Sequence, residues 1–327
     1  MKKLNLNKNI SEEYIINNYL RKLNFNKNGT YNFKNDAAFV RFNKNKKIVV
    51  TNDSISESVD FFKGDDPKSI ANKIVTINLS DLSSMGVMPY AYTLNLILPT
   101  YVDDYWLSKF TNELLKLQNK YNFYLLGGDL SKSNRLHISS TFIGLSKTNH
   151  VVSQSLMNLN YDIWITGNLG DSYIGLQILK KNINIKNIKI KKYFLKKYYY
   201  PKPCMLGYRL SKYVSSMKDV SDGFIGDLNK MLNNKYGAKI NFNNIPISSN
   251  SIKIIKKGLV EKKNIFNSGD NYKQIIISNS KYRNKIINIA KKDKVKITLV
   301  GKTINKKGIF DDSNKTLNIP KEFDHFR

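Results

Sequence analysis

Aspartates stand out in this sequence because lysine dominates its charge, so each isolated carboxylate is a candidate for chemistry. The chain contains 54 lysine and arginine residues but only 25 aspartate and glutamate residues. Between Lys73 and Lys109 there is no basic residue, and this window contains Asp81 within the segment NLSDLSSMG. Small neighbours such as Ser83 and Gly86 would let a ligand or another backbone segment approach Asp81 closely.

Other aspartates follow apolar runs that are typical of strands, or lie among glycines. They belong to the segments ND at 52–53, GGD at 127–129 and DVSDGFIGD at 219–227. Strand ends are where α/β enzymes place their ligands. Mg²⁺ prefers oxygen ligands and is usually held by a few carboxylates together with the phosphates of a substrate.

A magnesium and phosphate site is therefore one interpretation of these aspartates. Any one of them could instead cap a helix or stabilise a turn. Six carboxylates converging without a cation would repel one another, so a cation is their natural partner. The glycine pair at 127–128 would let backbone amides approach a phosphate. The carboxylates that could form the metal site are Asp36, Asp53, Asp81, Asp129, Asp219 and Asp222.

Neither the glycine-containing segment at 166–172 nor the histidines supply a catalytic residue. The segment TGNLGDS at 166–172 lacks the third glycine of a dinucleotide-binding fingerprint, so we interpret it as a structural turn. His137, His150 and His325 have no companion at metal-ligand spacing. No general base is predicted, and phosphoryl transfer hardly needs one.

The elements that must position these residues alternate between helices and strands along the chain, which indicates an α/β (α+β) fold. Hydrophobic spacing predicts helices at 10–23, 71–86, 105–120, 173–180, 181–200, 205–216, 222–233 and 282–292. It predicts strands at 37–42, 47–52, 90–98, 123–126, 136–145, 162–167, 238–242, 272–277 and 295–300. Residues 146–160 are polar and lack a period, so we expect two domains, 1–148 and 149–327.

Composition excludes several classes of protein. The longest apolar stretch, 90–102, is interrupted by Asn95 and Pro99 and is shorter than the ~20 residues of a membrane span. The N-terminal segment lacks the apolar run of a secretory signal, so we expect a cytoplasmic protein with no membrane partner. The single cysteine, Cys204, excludes an intramolecular disulfide.

The net charge of +29 leaves a nucleic-acid-binding protein as an alternative. Only six of the basic residues are arginine, whereas sequence-specific readers rely on the bidentate arginine fork. Lysine is also diluted with asparagine and isoleucine throughout the chain. We interpret most of the charge as solvated surface and expect no specific nucleic-acid partner.

Nine segments, in order along the chain, resemble the thiamine-monophosphate kinase family. This family belongs to a superfamily with aminoimidazole ribonucleotide synthetase and selenophosphate synthetase. The matching segments are NDAAFV at Asn35, TNDSISESVDFF at Thr51, NLSDLSSMGVMP at Asn78, GGDLS at Gly127, TGNLGDSYIGL at Thr166, PKP at Pro201, DVSDGFIGDL at Asp219, SGDNY at Ser268 and FDHF at Phe323.

The resemblance implies a two-domain aminoimidazole ribonucleotide synthetase-like fold, with mixed sheets and helices packed on them. It implies that domain 1–148 binds ATP and Mg²⁺ and forms a homodimer through its sheet, while domain 149–327 completes the active site. The implied reaction is direct transfer of the γ-phosphoryl group of ATP to thiamine monophosphate.

The resemblance also assigns roles to single residues. The implied metal ligands are Asp36, Thr51, Asn52, Asp53, Asp81, Asp129, Asp219 and Asp222. The implied ATP contacts are Gly128, Asp129, Gln154 and Ser221, and the implied contacts to thiamine monophosphate are Asp60, Asp270 and Phe323.

Some of these positions depart from the family pattern. Asp60 replaces a histidine, Gln154 replaces a nucleotide-contacting arginine, and Asp270 with Asn271 replaces a glutamate and an aspartate. The substitutions leave a related ATP-dependent enzyme of the superfamily, acting on another small acceptor, as the alternative function.

Overall fold

Four strands form the first sheet of the protein. The structure, a computed structural model, describes residues 11–25, 27–42, 44–147 and 149–317. The strands are β1 (Ile48–Ser56), β2 (Met88–Leu98), β3 (Tyr124–Lys132) and β4 (His137–Leu145). Their order in the sheet is β1-β4-β2-β3, and β2 pairs with β3 in parallel.

Two of these strands continue beyond the residues at which the sequence pattern predicts that they end. The apolar run of β1 was expected to stop at Asn52, but the strand continues to Ser56, so Asp53 lies in its interior. In the same way, β3 runs through Gly127 and Gly128 instead of ending before them. The predicted strand at 37–42 is wrong, because these residues lie outside regular secondary structure.

Three α-helices accompany this sheet: α1 (Glu12–Ile15), α2 (Pro67–Ser84) and α3 (Asp104–Tyr121). The Ser11 hydroxyl accepts a hydrogen bond from the Tyr14 N–H, which caps α1 as predicted. The chain then continues as a π-helical turn at Ile16–Leu20 and a 3-10 turn at Arg21–Asn24. Asp103 caps α3 by accepting from the Trp106 N–H.

A second sheet has six strands, two of which, β5 and β8, are buried on both faces. Its strands are β5 (Asp162–Thr166), β6 (Ser216–Asp219), β7 (Gly237–Ile240), β8 (Gln274–Ser278), β9 (Ile297–Ile304) and β10 (Gly308–Phe310). Their order is β10-β7-β9-β5-β8-β6. Ile163 and Ile165 enter one core cluster while Trp164 enters the other, which explains the uninterrupted apolar run of β5.

The α-helices of this half are α4 (Asp171–Leu179), α5 (Ile188–Tyr199), α6 (Gly207–Leu210), α7 (Phe224–Leu232), α8 (Ser249–Lys256), α9 (Lys262–Phe266) and α10 (Arg283–Lys292). The helix predicted at 205–216 is mostly wrong, because only α6 forms and β6 begins at Ser216. The pattern also missed β6, β10, α8 and α9. Among the described residues, no helix combines the length and apolar character needed to cross a membrane.

The chain forms two compact units. The first takes its residues from Met1–Lys44, Val50–Asn78 and Pro89–Gly144, and the second from Asn45–Val49, Leu79–Met88 and Leu145–Arg327. The last residues of α2 therefore belong to the second unit.

Close backbone contact fixes the end of α2 within the second unit. The Gly207 N–H donates to Ser83 Oγ at 3.2 Å, and the Gln274 side chain donates to the same oxygen at 2.7 Å. A Cβ atom on Gly207 would lie 1.6 Å from the Ser83 carbonyl oxygen. The small residues near Asp81 thus have a packing role, since they let another backbone segment come this close.

Gly207→Ala is expected to destabilise the protein by about 1 to 3 kcal/mol, because the added methyl group overlaps the Ser83 carbonyl oxygen. Gly226→Ala is the matched control, since no atom lies within 4 Å of the added Cβ atom in α7. It should be neutral or stabilising by up to about 1 kcal/mol, because alanine favours a helix over glycine. Urea unfolding of both variants measures the difference. Equal stability of the two variants would contradict the close contact.

Candidate functional site

In the first unit, predicted metal ligands line the interior of β1 and β3. Thr51, Asn52 and Asp53 are successive residues of β1, and the Asn52 side chain donates to Thr141 Oγ1 at 2.7 Å. Asp129 lies in β3, where its side chain is exposed. The strands, and not the loops after them, therefore present these oxygens.

Strand packing requires glycine at position 128, in addition to the predicted role of Gly128 near a phosphate. A Cβ atom at this position would lie 1.8 Å from the Leu94 carbonyl oxygen on the paired strand β2. A side chain at 128 would therefore force β2 and β3 apart. Gly127 differs, because no atom lies within 4 Å of the position of its Cβ atom.

Two other predicted residues of this unit lie outside its strands. Asp36 is exposed in an irregular segment. Asp60 follows β1 and closes a turn, because its Oδ2 accepts from the Ser56 N–H at 2.8 Å. Its carbonyl oxygen accepts from Lys73 Nζ at 2.7 Å.

In the second unit, the sequence-predicted residues Asp81 and Asp219 are electrostatic neighbours. Asp219 ends β6, is 4% exposed, and accepts a hydrogen bond from the Ser80 hydroxyl at 2.9 Å. Burial and then the negative charge of Asp81 raise the pKa of the Asp219 carboxyl to about 7. A divalent cation would relieve this repulsion, which makes the pair a fitting donor set for Mg²⁺.

Lysine side chains partly compensate these carboxylates. Lys218 Nζ lies 3.9 Å from Asp219 Oδ1 and 3.4 Å from Asp227 Oδ1. Lys230 Nζ lies 2.9 Å from Asp222 Oδ2, in a half-exposed ion pair. Asp222 is therefore held by α7, from which Lys230 projects.

Three loops meet at one edge of the six-stranded sheet. They are the loop after β5, the loop after β6 and the loop before β8. Because β8 pairs antiparallel with both β5 and β6, these three loops lie side by side. The Asp270 N–H donates to the Ser221 carbonyl at 3.0 Å, and the Tyr272 N–H donates to the Val220 carbonyl at 3.1 Å. Ser221, a predicted ATP contact, is thereby linked to Asp270, a predicted substrate contact.

The loop after β5 joins this arrangement through Asn271. Its Oδ1 accepts from the Gly170 N–H at 2.7 Å, and its Nδ2 donates to the Ser268 carbonyl at 2.7 Å. Gly167 and Gly170 have φ values of 66° and 80°, which agrees with the interpretation of TGNLGDS as a structural turn.

Two predicted residues remain. Gln154 is exposed, and Phe323 lies outside the described residues. Within 11–25, 27–42, 44–147 and 149–317, no three His, Cys, Asp or Glu side chains are grouped so that they could hold a metal ion.

Sequence reasoning assigned no role to Lys218, Asp227 or Asn271. Asp227 carried a usable signal, because an acidic residue in the first turn of a helix commonly binds backbone N–H groups there. Lys218 resembles dozens of surface lysines in the sequence, and only its burial beside two carboxylates distinguishes it.

Comparison with known proteins places the chain in a family. The family model for the N-terminal domain of AIR synthase related proteins matches residues 34–146, and that for the C-terminal domain matches residues 160–312. The thiamine-monophosphate kinase of Buchnera aphidicola subsp. Acyrthosiphon pisum is 35% identical over 299 residues, covering 89% of this chain and 91% of that protein. The chain belongs to the thiamine-monophosphate kinase family.

A second relative agrees with this membership, and two solved structures share the fold. The Haemophilus influenzae thiamine-monophosphate kinase is 31% identical over 300 residues, covering 89% of this chain and 90% of that protein. The crystal structure of the Stenotrophomonas maltophilia K279a enzyme shares the fold with a TM-score of 0.78 at 24% identity, over 87% of this chain and 90% of that one. AaThiL complexed with AMPPCP and TMP has a TM-score of 0.76 at 22% identity, over 89% and 91% of the two chains.

Asp81→Asn is expected to lower turnover by about a hundredfold, the typical cost of losing one preorganised electrostatic contact. The variant should still fold, and without metal its melting temperature should equal or exceed that of the wild type, because Asp219 loses a repelling neighbour. Thermal melts with and without Mg²⁺ and ATP, alongside turnover measurements, test both effects. Normal turnover would remove Asp81 from the site, and lower metal-free stability would make it a structural residue.

Proposed function

We propose that this protein is an ATP-dependent thiamine-monophosphate kinase. It transfers the γ-phosphoryl group of ATP directly to the phosphate of thiamine monophosphate, releasing ADP and thiamine diphosphate. The observation that carries this proposal is 35% identity with a thiamine-monophosphate kinase over 89% of the chain, extending through both units.

Mg²⁺ is part of the proposal, and the donor chemistry supports it. In the second unit, the proposed ligands are Asp81 and Asp219. In the first unit, they are Thr51, Asn52 and Asp53 on β1 and Asp129 on β3. When bound, Mg²⁺ neutralises charge on the transferring phosphoryl group. Asp36 and Asp222 complete the proposed ligand set.

The chain's own residues would position the two substrates. Phosphoryl transfer requires little covalent chemistry from the protein, which acts mainly by orientation and charge. Gly128, Asp129, Gln154 and Ser221 are the proposed ATP contacts. Asp60, Asp270 and Phe323 are the proposed contacts to thiamine monophosphate, and the bond from the Asp270 N–H to the Ser221 carbonyl links the two sets.

Purified protein incubated with ATP, Mg²⁺ and thiamine monophosphate should form thiamine diphosphate and ADP in equal amounts. Chromatographic quantification of both products tests the proposal, and omission of Mg²⁺ should abolish them. Absence of both products across a range of pH and divalent metals would refute it.

A related enzyme with another small acceptor is the second candidate. Asp60 and Gln154 motivate it, because they depart from the family pattern at positions assigned to the acceptor and to ATP. A panel of phosphorylated and alcohol acceptors in an ADP-release assay distinguishes the candidates. Clear preference for thiamine monophosphate would eliminate this alternative.

Gln154→Arg should strengthen ATP binding by up to about 1 to 3 kcal/mol, the range of hydrogen bonds to charged groups. The reason is that arginine restores a fixed positive charge that the family places near the phosphates. Gln154 is exposed, so the larger side chain can be accommodated without repacking. Isothermal titration with a nonhydrolysable ATP analogue measures the change. Unchanged affinity would mean that another residue already supplies this charge.

We also propose a homodimer that forms through the first sheet, in the cytoplasm where ATP is available. β1 is the terminal strand of the four-stranded sheet, and its Val50 side chain is 60% exposed. Exposed edge strands with apolar side chains are suited to pairing with another chain.

Val50→Lys is expected to shift the protein from dimer to monomer, because a dimer interface through β1 would bury an unpaired charge. Ile287→Lys on α10 is the matched control, since it also replaces an exposed apolar residue, 43% exposed, by lysine. Size-exclusion chromatography with light scattering measures the mass of both. A monomeric wild type, or a dimeric Val50→Lys variant, would contradict the proposed interface.

A further inference from the structure

One carboxylate without an assigned role organises the loop between β6 and α7. Asp227 lies in α7, and its side chain is fully buried. Its Oδ2 accepts hydrogen bonds from the N–H groups of Ser221, Asp222 and Gly223, at 3.1, 3.0 and 3.1 Å. A single oxygen atom therefore receives three successive backbone donors.

This arrangement determines what the loop is able to bind. Successive N–H groups that converge on one point normally form a concavity for an external anion. Here the concavity is filled by the protein's own carboxylate, whose other oxygen lies 3.4 Å from Lys218 Nζ. The three amides are consequently unavailable to a phosphate, and the loop can meet a substrate only through its side chains and its outer surface.

The order imposed on this loop extends to the segment before β8. The Ser221 carbonyl accepts from the Asp270 N–H at 3.0 Å, and the Val220 N–H donates to the Lys273 carbonyl at 2.7 Å. A Cβ atom on Gly269 would lie 2.3 Å from the Ser221 carbonyl oxygen, so the two segments are in close backbone contact. Movement of the loop after β6 would move the backbone of Asp270 with it.

We propose that Asp227 is a positioning residue for phosphoryl transfer. Its carboxylate fixes the backbone that carries Asp222 and Ser221 and, through that backbone, the segment that carries Asp270. This role rests on the proposed function, in which Asp222 binds the metal ion, Ser221 contacts the nucleotide and Asp270 contacts the acceptor.

Asp227→Ala and Asp227→Asn test this role, with Asp162→Ala as the matched control. Asp162 is equally buried, and its Oδ2 and Oδ1 accept hydrogen bonds from Nε and Nη2 of Arg283 at 2.6 and 2.8 Å. It begins β5, at the opposite end of that strand from the three loops. The control therefore removes a buried, paired carboxylate from the same sheet without touching the loops.

The first measurement is amide hydrogen exchange in full-length protein without ligands, which does not depend on activity. Asp227→Ala should accelerate exchange in both 219–223 and 268–272, whereas Asp162→Ala should leave these segments as in the wild type. Asp227→Asn keeps one acceptor oxygen and should give an intermediate rate. If Asp227→Ala does not fold, the exchange rates of Asp227→Asn in these two segments test the proposal instead.

The second measurement is steady-state kinetics at a temperature where each variant is folded. Asp227→Ala should lose about a hundredfold in kcat, the scale expected when reacting groups are misplaced by about 1 Å. Asp227→Asn should recover part of that loss, and Asp162→Ala should retain kcat within about twofold, because it leaves the reacting groups in place.

Unchanged exchange in 219–223 in the Asp227 variants would overturn the proposal, as would faster exchange with normal kcat. Equal loss of kcat in Asp162→Ala would also overturn it, because general destabilisation would then explain the effect. If the wild type forms no thiamine diphosphate, the proposed function fails, and hydrogen exchange alone then decides whether Asp227 holds the two segments.

Discussion

Main-chain hydrogen bonds between the segment after β6 and the segment before β8 are the constraint on which the candidate site of the second unit depends. They exist because β8 lies between β5 and β6 and runs antiparallel to both, so the three loops meet at one sheet edge. Asp219 is the last residue of β6, so the same pairing fixes its position. Asp81 lies beside the buried Asp219 on the part of α2 whose end packs closely against the Gly207 backbone.

Much of the fold could be predicted from the sequence, and the failures have identifiable causes. β5 and β8 were predicted because burial on both faces gives an uninterrupted apolar run. The continuation of β1 past Asn52 was not predicted, because an edge strand with exposed positions tolerates polar residues that resemble a strand end. The short helices α8 and α9 were missed because their lysine-rich exposed faces leave only a few buried residues each.

The candidate site was predictable to a lesser extent. The absence of lysine around Asp81 drew attention to it, and Asp219, which the structure places close enough to feel its charge, was named with it. The sequence alone could not separate the packing role of Gly128 from its predicted phosphate role, because both require a missing side chain. Nor could it reveal that Asp227 binds three backbone donors, since that depends on the path of the loop in space.

The backbone bonds that join the loops have an evolutionary consequence. A bond such as that from the Asp270 N–H to the Ser221 carbonyl makes no demand on the identity of either side chain. Residue 270 could therefore be exchanged for another that tolerates its φ of 57° while the frame that presents it persisted, whereas Asn271 belongs to that frame through its own side-chain hydrogen bonds. Such a frame gives selection a way to vary the side chain at 270 by single substitutions, without first rebuilding the loops.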